Sequence, residues 1–166
     1  LTDIREGILK VTDADALGYN SAVQVQDGAS LELDLADGTT FGKSIIGAGN
    51  VIVNSALATD TLLFGGNNAY TGITTVRSGV VVVRENAQNL GGSVILEADG
   101  SLELDYVTSG AWVYDGLVSG LGTIIKAQTG DLTLSGNNDA FAGTFQIDAG
   151  NLILSGTGSL RNANID

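Results

Sequence analysis

A pattern stated twice, and begun a third time, sets what this chain can fold into. Gly66-Asn67-Asn68-Ala69-Tyr70-Thr71-Gly72 returns as Gly136-Asn137-Asn138-Asp139-Ala140-Phe141-Ala142-Gly143. Gly79-Val80-Val81-Val82-Val83 returns as Gly150-Asn151-Leu152-Ile153-Leu154, and Gly7-Ile8-Leu9-Lys10-Val11 foreshadows both. Asp27-Gly28-Ala29-Ser30-Leu31-Glu32-Leu33-Asp34 matches Asp99-Gly100-Ser101-Leu102-Glu103-Leu104-Asp105. Gly47-Ala48-Gly49-Asn50-Val51-Ile52 matches Gly120-Leu121-Gly122-Thr123-Ile124-Ile125. Each pair is about 70 residues apart. Such a period marks a stack of small units and points away from a catalytic domain.

The units are short strands. Helical periodicity is absent, and runs of four to six residues alternate apolar with polar between Gly, Asn, Asp and Ser. Ala22–Gln26, Ser30–Leu35, Ser101–Tyr106 and Asp131–Ser135 each read as a strand with one dry and one wet face. Further strands are expected at 51–53, 62–64, 73–76, 94–96, 124–126, 144–147 and 160–165. Turns are expected at Asp27-Gly28, Asp37-Gly38, Gly65 to Asn68, Asp99-Gly100 and Gly136 to Asn138, on residues that tolerate positive φ. The strands are too short, and aromatics too few, for a membrane barrel. A parallel β-helix of roughly 20 to 25 residues per coil fits. The 70-residue repeat then reads as three coils and the whole chain as about seven, with Leu, Val and Ile inside and Glu, Asp, Lys and Arg outside. The chain divides at about residue 60, into stem coils over 1–59 and repeat-bearing coils over 60–166, with a cap or linker expected after Ser155. Unpaired strands at the ends of such a rod recruit other chains, so the rod is expected to continue upstream.

Composition closes several functional classes. Hydrophobic residues make up 43%, enough for a packed core. With no Cys there is no disulfide or thiolate metal site, and with no His the commonest general base and metal ligand are missing. A net charge of −12, with only seven scattered Lys and Arg, opposes nucleic acid and anionic membrane surfaces. No apolar run is long enough to cross a bilayer as a helix, so no direct membrane insertion is expected. The chain opens on Leu1 without a signal peptide, so any targeting segment is expected to lie elsewhere.

Leu132-Thr133-Leu134-Ser135-Gly136-Asn137-Asn138, then Phe141-Ala142-Gly143-Thr144, then Ile147 to Leu152, resembles the passenger-associated transport repeat of bacterial autotransporters. The family pattern runs Leu-Thr-Leu-x-Gly-x-Asn-x-aromatic-x-Gly, then a Gly-led strand; this copy carries one extra residue before Phe141. Thr61 to Val83 is a looser copy that keeps the spacing to Tyr70 and Gly72 but has Leu63 and Phe64 in place of Thr and Leu. The direct match covers about 50 residues. The resemblance implies a right-handed, single-stranded β-helical passenger at the bacterial surface or released by cleavage. It also implies a place near the translocator barrel, where an autochaperone segment seeds folding of the upstream coils. A narrower likeness is to the actin-recruiting VirG/IcsA type, whose glycine-rich partner-binding repeats this chain lacks. The implied partners are the upstream coils, the translocator barrel, and a host surface protein or cytoskeletal regulator.

Four groups of residues are candidate sites. Glu32 with Asp34, and Glu103 with Asp105, project in pairs as glycosidase carboxylates do; a repeated solvated strand face explains both pairs equally. Asp13, Asp15 and Asp27 could gather around Ca²⁺, but their spacing matches neither an EF-hand loop nor the Gly-Gly-x-Gly-x-Asp nonapeptide. Asn67, Asn68, Asn137 and Asn138 read as corner residues or stacked amide ladders, and Tyr70 and Phe141 as core or corner packing. Ala111-Trp112-Val113-Tyr114-Asp115 stands apart, because its counterpart at Thr40-Phe41-Gly42 lacks the Trp and Tyr. Trp112, Tyr114 and Asp115 are therefore a folding or partner contact, or one bulky coil interior. Without His no Ser–His–Asp triad exists, so no enzyme and no cofactor are expected.

Overall fold

The computed structural model describes residues 1–18, 21–84, 90–105 and 111–166. Its strands, in chain order, begin with β1 (Thr2–Ile4), β2 (Ile8–Val11), β3 (Val23–Val25), β4 (Ser30–Leu33), β5 (Thr39–Phe41) and β6 (Ile45–Gly47). There follow β7 (Asn50–Asn54), β8 (Thr61–Phe64), β9 (Ala69–Tyr70), β10 (Ile73–Arg84), β11 (Ser93–Asp105) and β12 (Ala111–Tyr114). The last are β13 (Val118–Gly120), β14 (Thr123–Lys126), β15 (Asp131–Leu134), β16 (Thr144–Ile147), β17 (Leu152–Leu154) and β18 (Asn164–Ile165). The described residues contain no helix, and every strand pairing is parallel.

Three walls make each turn. The first holds β1-β3-β6-β9 and, further along the axis, β12-β15-β17. The second holds β2, β4, β7, the first halves of β10 and β11, and then β13. The third holds β5, β8, the second halves of β10 and β11, then β14, β16 and β18. Ser101 pairs with Thr123, Thr123 with Thr144 and Thr144 with Asn164, steps of 22, 21 and 20 residues. This is the expected coil, and the chain makes about seven turns of it. Residues 155–166 form a further turn, since Ser159 bridges to Asn137 and β18 pairs with β16. Across residue 60 the second wall is continuous, because β7 pairs directly with β10.

The core is a column of Leu, Val, Ile and Phe drawn from every turn. Leu31, Val51, Phe41, Ile45, Leu102, Phe141 and Phe145 are all fully enclosed. Each fully buried side chain of this kind contributes about 1.5–3 kcal/mol. Alternation puts them there, as in Ser101-Leu102-Glu103-Leu104, where only the leucines are sealed.

Three expectations need correction. First, the 70-residue repeat is not three turns but three turns plus one wall. Strand β6 lies in the first wall, yet its counterpart β13 pairs with Val94–Leu96 in the second. Likewise β7 lies in the second wall, while its counterpart β14 pairs with Ser101–Leu104 in the third. Second, Asp99-Gly100 is no turn. It lies inside β11 opposite Ser78-Gly79, where the pairing shifts register and both strands bend from one wall to the next. Its counterpart Asp27-Gly28 is a turn, with Gly28 at φ 79°. Third, not every charged side chain lies outside: Lys43, Lys126, Glu32 and Asp105 are buried. The strand expected to end at Tyr106 is described as far as Asp105, and Tyr106 lies outside the described residues.

Candidate functional site

The duplicated corners are built alike. Gly66, Asn68 and Tyr70 point inward and alternate with exposed Gly65, Asn67 and Ala69. The Asn68 side-chain oxygen accepts the Ile45 N–H of the turn below at 2.9 Å. The Asn138 oxygen accepts the Val118 N–H at 2.7 Å, and its amide donates to the Gly136 carbonyl at 3.1 Å. Each asparagine thus satisfies the backbone where a strand begins, a group that would be costly to bury unpaired. These two asparagines lie three turns and one wall apart, so they are corner residues and form no amide ladder with each other. Asn67 and Asn137 are exposed, and the Asn137 oxygen accepts the Asp139 N–H at 3.0 Å.

The aromatic that follows reaches the same place by two routes. Gly47 pairs with Tyr70 and Gly120 with Phe141, although the second corner is one residue longer. A turn absorbs the extra residue, with the Phe141 N–H donating to the Asn138 carbonyl at 2.9 Å. Both rings are fully enclosed. Tyr70 hydrogen-bonds the Thr74 hydroxyl, which itself donates to the Leu90 carbonyl at 2.5 Å. Burial pushes the Tyr70 hydroxyl well above its ordinary range. In the second copy Phe141 and Phe145 stand at the places of Tyr70 and Thr74, so both hydroxyls are absent together. Gly72 and Gly143 close the corners by close approach, not by positive φ. A Cβ there would overlap the carbonyls of Gly49 and Gly122 respectively.

Trp112 and Tyr114 face the interior of the first wall. Trp112 registers with Leu132 and Tyr114 with Leu134, both sealed, and the two rings meet edge to face at 5.9 Å and 69°. Both remain half-buried, with Val113 between them 57% exposed and Asp115 exposed. Burial first, and then the Asp115 charge, raise the Tyr114 hydroxyl. Their wall is described as strand up to Tyr70 and again from Ala111, so the cluster lies where the wall passes from one sheet to the other.

The paired carboxylates are occupied by structure. Glu32 meets Lys10 at 3.4 Å, Arg77 at 3.9 Å and the Asn54 amide at 3.3 Å, while Asp34 meets Lys10 at 2.9 Å. Arg77 also reaches Glu97 at 3.7 Å, so one polar ladder links turns along the second wall. Asp105 meets Arg84 at 3.3 Å. The Glu103 carboxyl is held above its usual range by burial, then by the charges of Asp105 and Asp148. Of the calcium candidates, Asp13 caps its own turn by accepting the Asp15 N–H at 2.9 Å. Among the described residues no cluster of carboxylates is placed to hold a metal ion.

Sequence reasoning missed several structural side chains. Lys126 points inward in register with Leu104, and its ammonium donates to the Gln128 and Ala149 carbonyls at 2.5 and 2.6 Å. Burial lowers its pKa. Lys43 likewise donates to the Gly18 carbonyl at 2.5 Å. Asp139 ties the last turn down, accepting the Ser159 hydroxyl and the Arg161 N–H, and its carboxyl is held low chiefly by Ser159. Parity along Ile124-Ile125-Lys126 was the signal for Lys126: the first and third positions share a face.

A parallel three-walled solenoid whose repeated residues close its corners defines a solenoid repeat protein. The family model of the passenger-associated transport repeat matches residues 59–83 and 124–154. The chain's β-solenoid carries this repeat and is similar to an autotransporter passenger. It is 26% identical over 187 residues to the adhesin BmaC autotransporter of Brucella suis biovar 1 (strain 1330), covering 96% of this chain and 5% of that protein. It is 27% identical over 150 residues to the uncharacterized lipoprotein YdeK of Escherichia coli (strain K12), covering 81% of this chain and 11% of that protein. Neither relative is described as an actin-recruiting autotransporter. No solved structure matches.

Proposed function

We propose that residues 60–166 act as a folding seed, and the whole chain as a non-enzymatic stem, for a surface-displayed adhesin or virulence factor. The observation that carries this is the hydrogen bonding between neighbouring turns. Asn68 to Ile45, Asn138 to Val118 and Lys126 to Ala149 all span 20 to 23 residues, one turn. A formed turn therefore presents both a strand edge and fixed corner partners to the next. In such a stack the first turn is the slow one, since it closes a loop without a template. The proposed partners are the upstream coils and a translocator barrel.

The test is the full-length parent with residues 60–166 deleted, displayed on cells and probed with protease. A passenger that reaches the surface and is degraded, with protection restored by this segment in trans, supports the seed. A passenger that stays protected while attachment to a host protein is lost makes the segment a binding module. Similarity to an adhesin, and the half-exposed Trp112–Tyr114 cluster beside Val113, favour that second reading; its partner would be a host surface protein or cytoskeletal regulator. Trp112→Ala and Tyr114→Ala separate the two. A folding role lowers the amount of protected passenger at unchanged affinity per molecule, and a binding role does the reverse.

A further inference from the structure

On the third wall, Ser101, Thr123, Thr144 and Asn164 stand one above another in four successive turns. Their neighbours Leu102, Ile124 and Phe145 are sealed inside, so these four side chains project outward. The spacing is that of stacked strands, about 4.8 Å. A second outward column, Glu103-Ile125-Gln146, runs beside the first. The Gln146 amide donates to Asp148 at 2.7 Å, and Asp105 lies at the lower end.

The strip is acidic. Arg84 is the cation paired with Asp105, and Lys126, though on the same strand, is turned inward. One Asp105 oxygen is buried with no hydrogen-bond partner among the described residues. Glu103 is crowded by Asp105 and Asp148. Glu103 and Asp148 are the carboxylates the strip leaves open to solvent, Asp105 being enclosed against Arg84, and a positive group along the strip would offset their charge.

We propose that this strip is a binding track for an extended, amine-bearing polysaccharide lying along the solenoid axis. Hydroxyl and amide groups repeat at close to the rise of one sugar, so each turn offers a donor and an acceptor to successive units. Half-exposed Ile125 gives the sugar C–H faces an apolar seat. Glu103 and Asp148 select ammonium groups and repel uronic or sulfated chains. Each contact is weak, and affinity comes from many in register. This track is separate from the folding role, and either can fail without the other.

The test is titration calorimetry of the full chain with a glucosamine hexamer, beside its fully N-acetylated form, a galacturonate hexamer and spermine. The expected result is binding of the glucosamine hexamer, weakened at least about tenfold by Thr123→Val with Thr144→Val and by Glu103→Gln. The galacturonate hexamer should not bind. Unchanged circular dichroism certifies the fold of each variant. Should a variant not fold, amide shifts of the wild type on titration decide: changes at 101–105, 123–126, 144–148 and 164 support the track, and changes elsewhere overturn it. No binding, or equal binding of spermine with no effect of the threonine changes, also overturns it, since charge alone would then explain the affinity.

Discussion

Asn138→Ala and Asn68→Ala should differ, although the two residues occupy the same place in the repeat. Asn138 uses both ends of its amide, on the Val118 N–H and the Gly136 carbonyl. Truncation strands two buried backbone groups at about 1–3 kcal/mol each, so a loss of about 2–6 kcal/mol follows. Asn68 uses its oxygen on Ile45, while its buried Nδ2 has no hydrogen-bond partner among the described residues. Truncation there strands one N–H and at the same time removes an unsatisfied donor, for a net loss of about 0–2 kcal/mol. These figures are a large share of the roughly 5–15 kcal/mol that holds a typical domain. Urea midpoints report the totals, provided the slope is unchanged. A stacked array can unfold in parts, so amide exchange supplies the local readout. Val118 N–H should lose protection in Asn138→Ala alone, and Ile45 N–H in Asn68→Ala alone. Equal losses of stability, or a Val118 amide still protected in Asn138→Ala, would refute the claim that the side-chain oxygen closes that corner.

Other perturbations read different parts of the stack. Gly143→Ala should cost at least about 2 kcal/mol, because its methyl would overlap the Gly122 carbonyl, whereas Gly42→Ala meets open space and should shift the melting temperature little. Thr74→Val should cost about 1–3 kcal/mol, read from urea midpoints, because the buried Leu90 carbonyl loses the Thr74 hydroxyl that donates to it. Glu103 has a raised folded pKa, so its contribution is greatest below its unfolded value near 4.5 and is lost as pH rises through the folded value. Glu103→Gln should therefore stabilise the chain at neutral pH and flatten the stability profile just above pH 4.5, as measured by thermal melts across pH. Arg84, Asp105 and Asp148 are the charges that act on it.

Most strands were legible because burial here follows alternation. Strands such as Ser101–Asp105 and Asp131–Leu134 carry their leucines on one parity and meet the core with it. Of the strands that went unread, β1, β5, β6, β9 and β13 are two or three residues with no apolar-polar-apolar step, and β12, Ala-Trp-Val-Tyr, is apolar throughout, so none alternates. Turn chemistry also misled where a neighbour changed its meaning. Asp-Gly makes a turn at 27–28 but a strand bend at 99–100, because there it pairs with the Ser78-Gly79 bend of the preceding turn. Polarity misplaced Lys126, since a long side chain can start in the core and end on corner carbonyls. The corner asparagines were recognised as corner residues, but which N–H each one caps depends on the turn below, some 20 residues away in sequence.

The offset of three turns and one wall follows from what is repeated. Between Tyr70 and Phe141 the chain passes ten strand positions in 71 residues, about seven residues for one strand and its corner. That step, not the turn, is the unit that the duplication preserves. It can move from wall to wall because every wall offers a corner the same things: a dry interior for the aromatic, a backbone close enough to demand Gly, and a strand N–H for Asn. An external binding face has no such freedom. Side chains meant to act together outside must align at the turn spacing of 20 to 22 residues, as Ser101, Thr123, Thr144 and Asn164 do. Residues that recur at about 70 land on different walls and cannot meet one flat partner together. Copies of a residue duplicated at that interval therefore cannot share one outward face, and an outward face is built from neighbours aligned at the turn spacing.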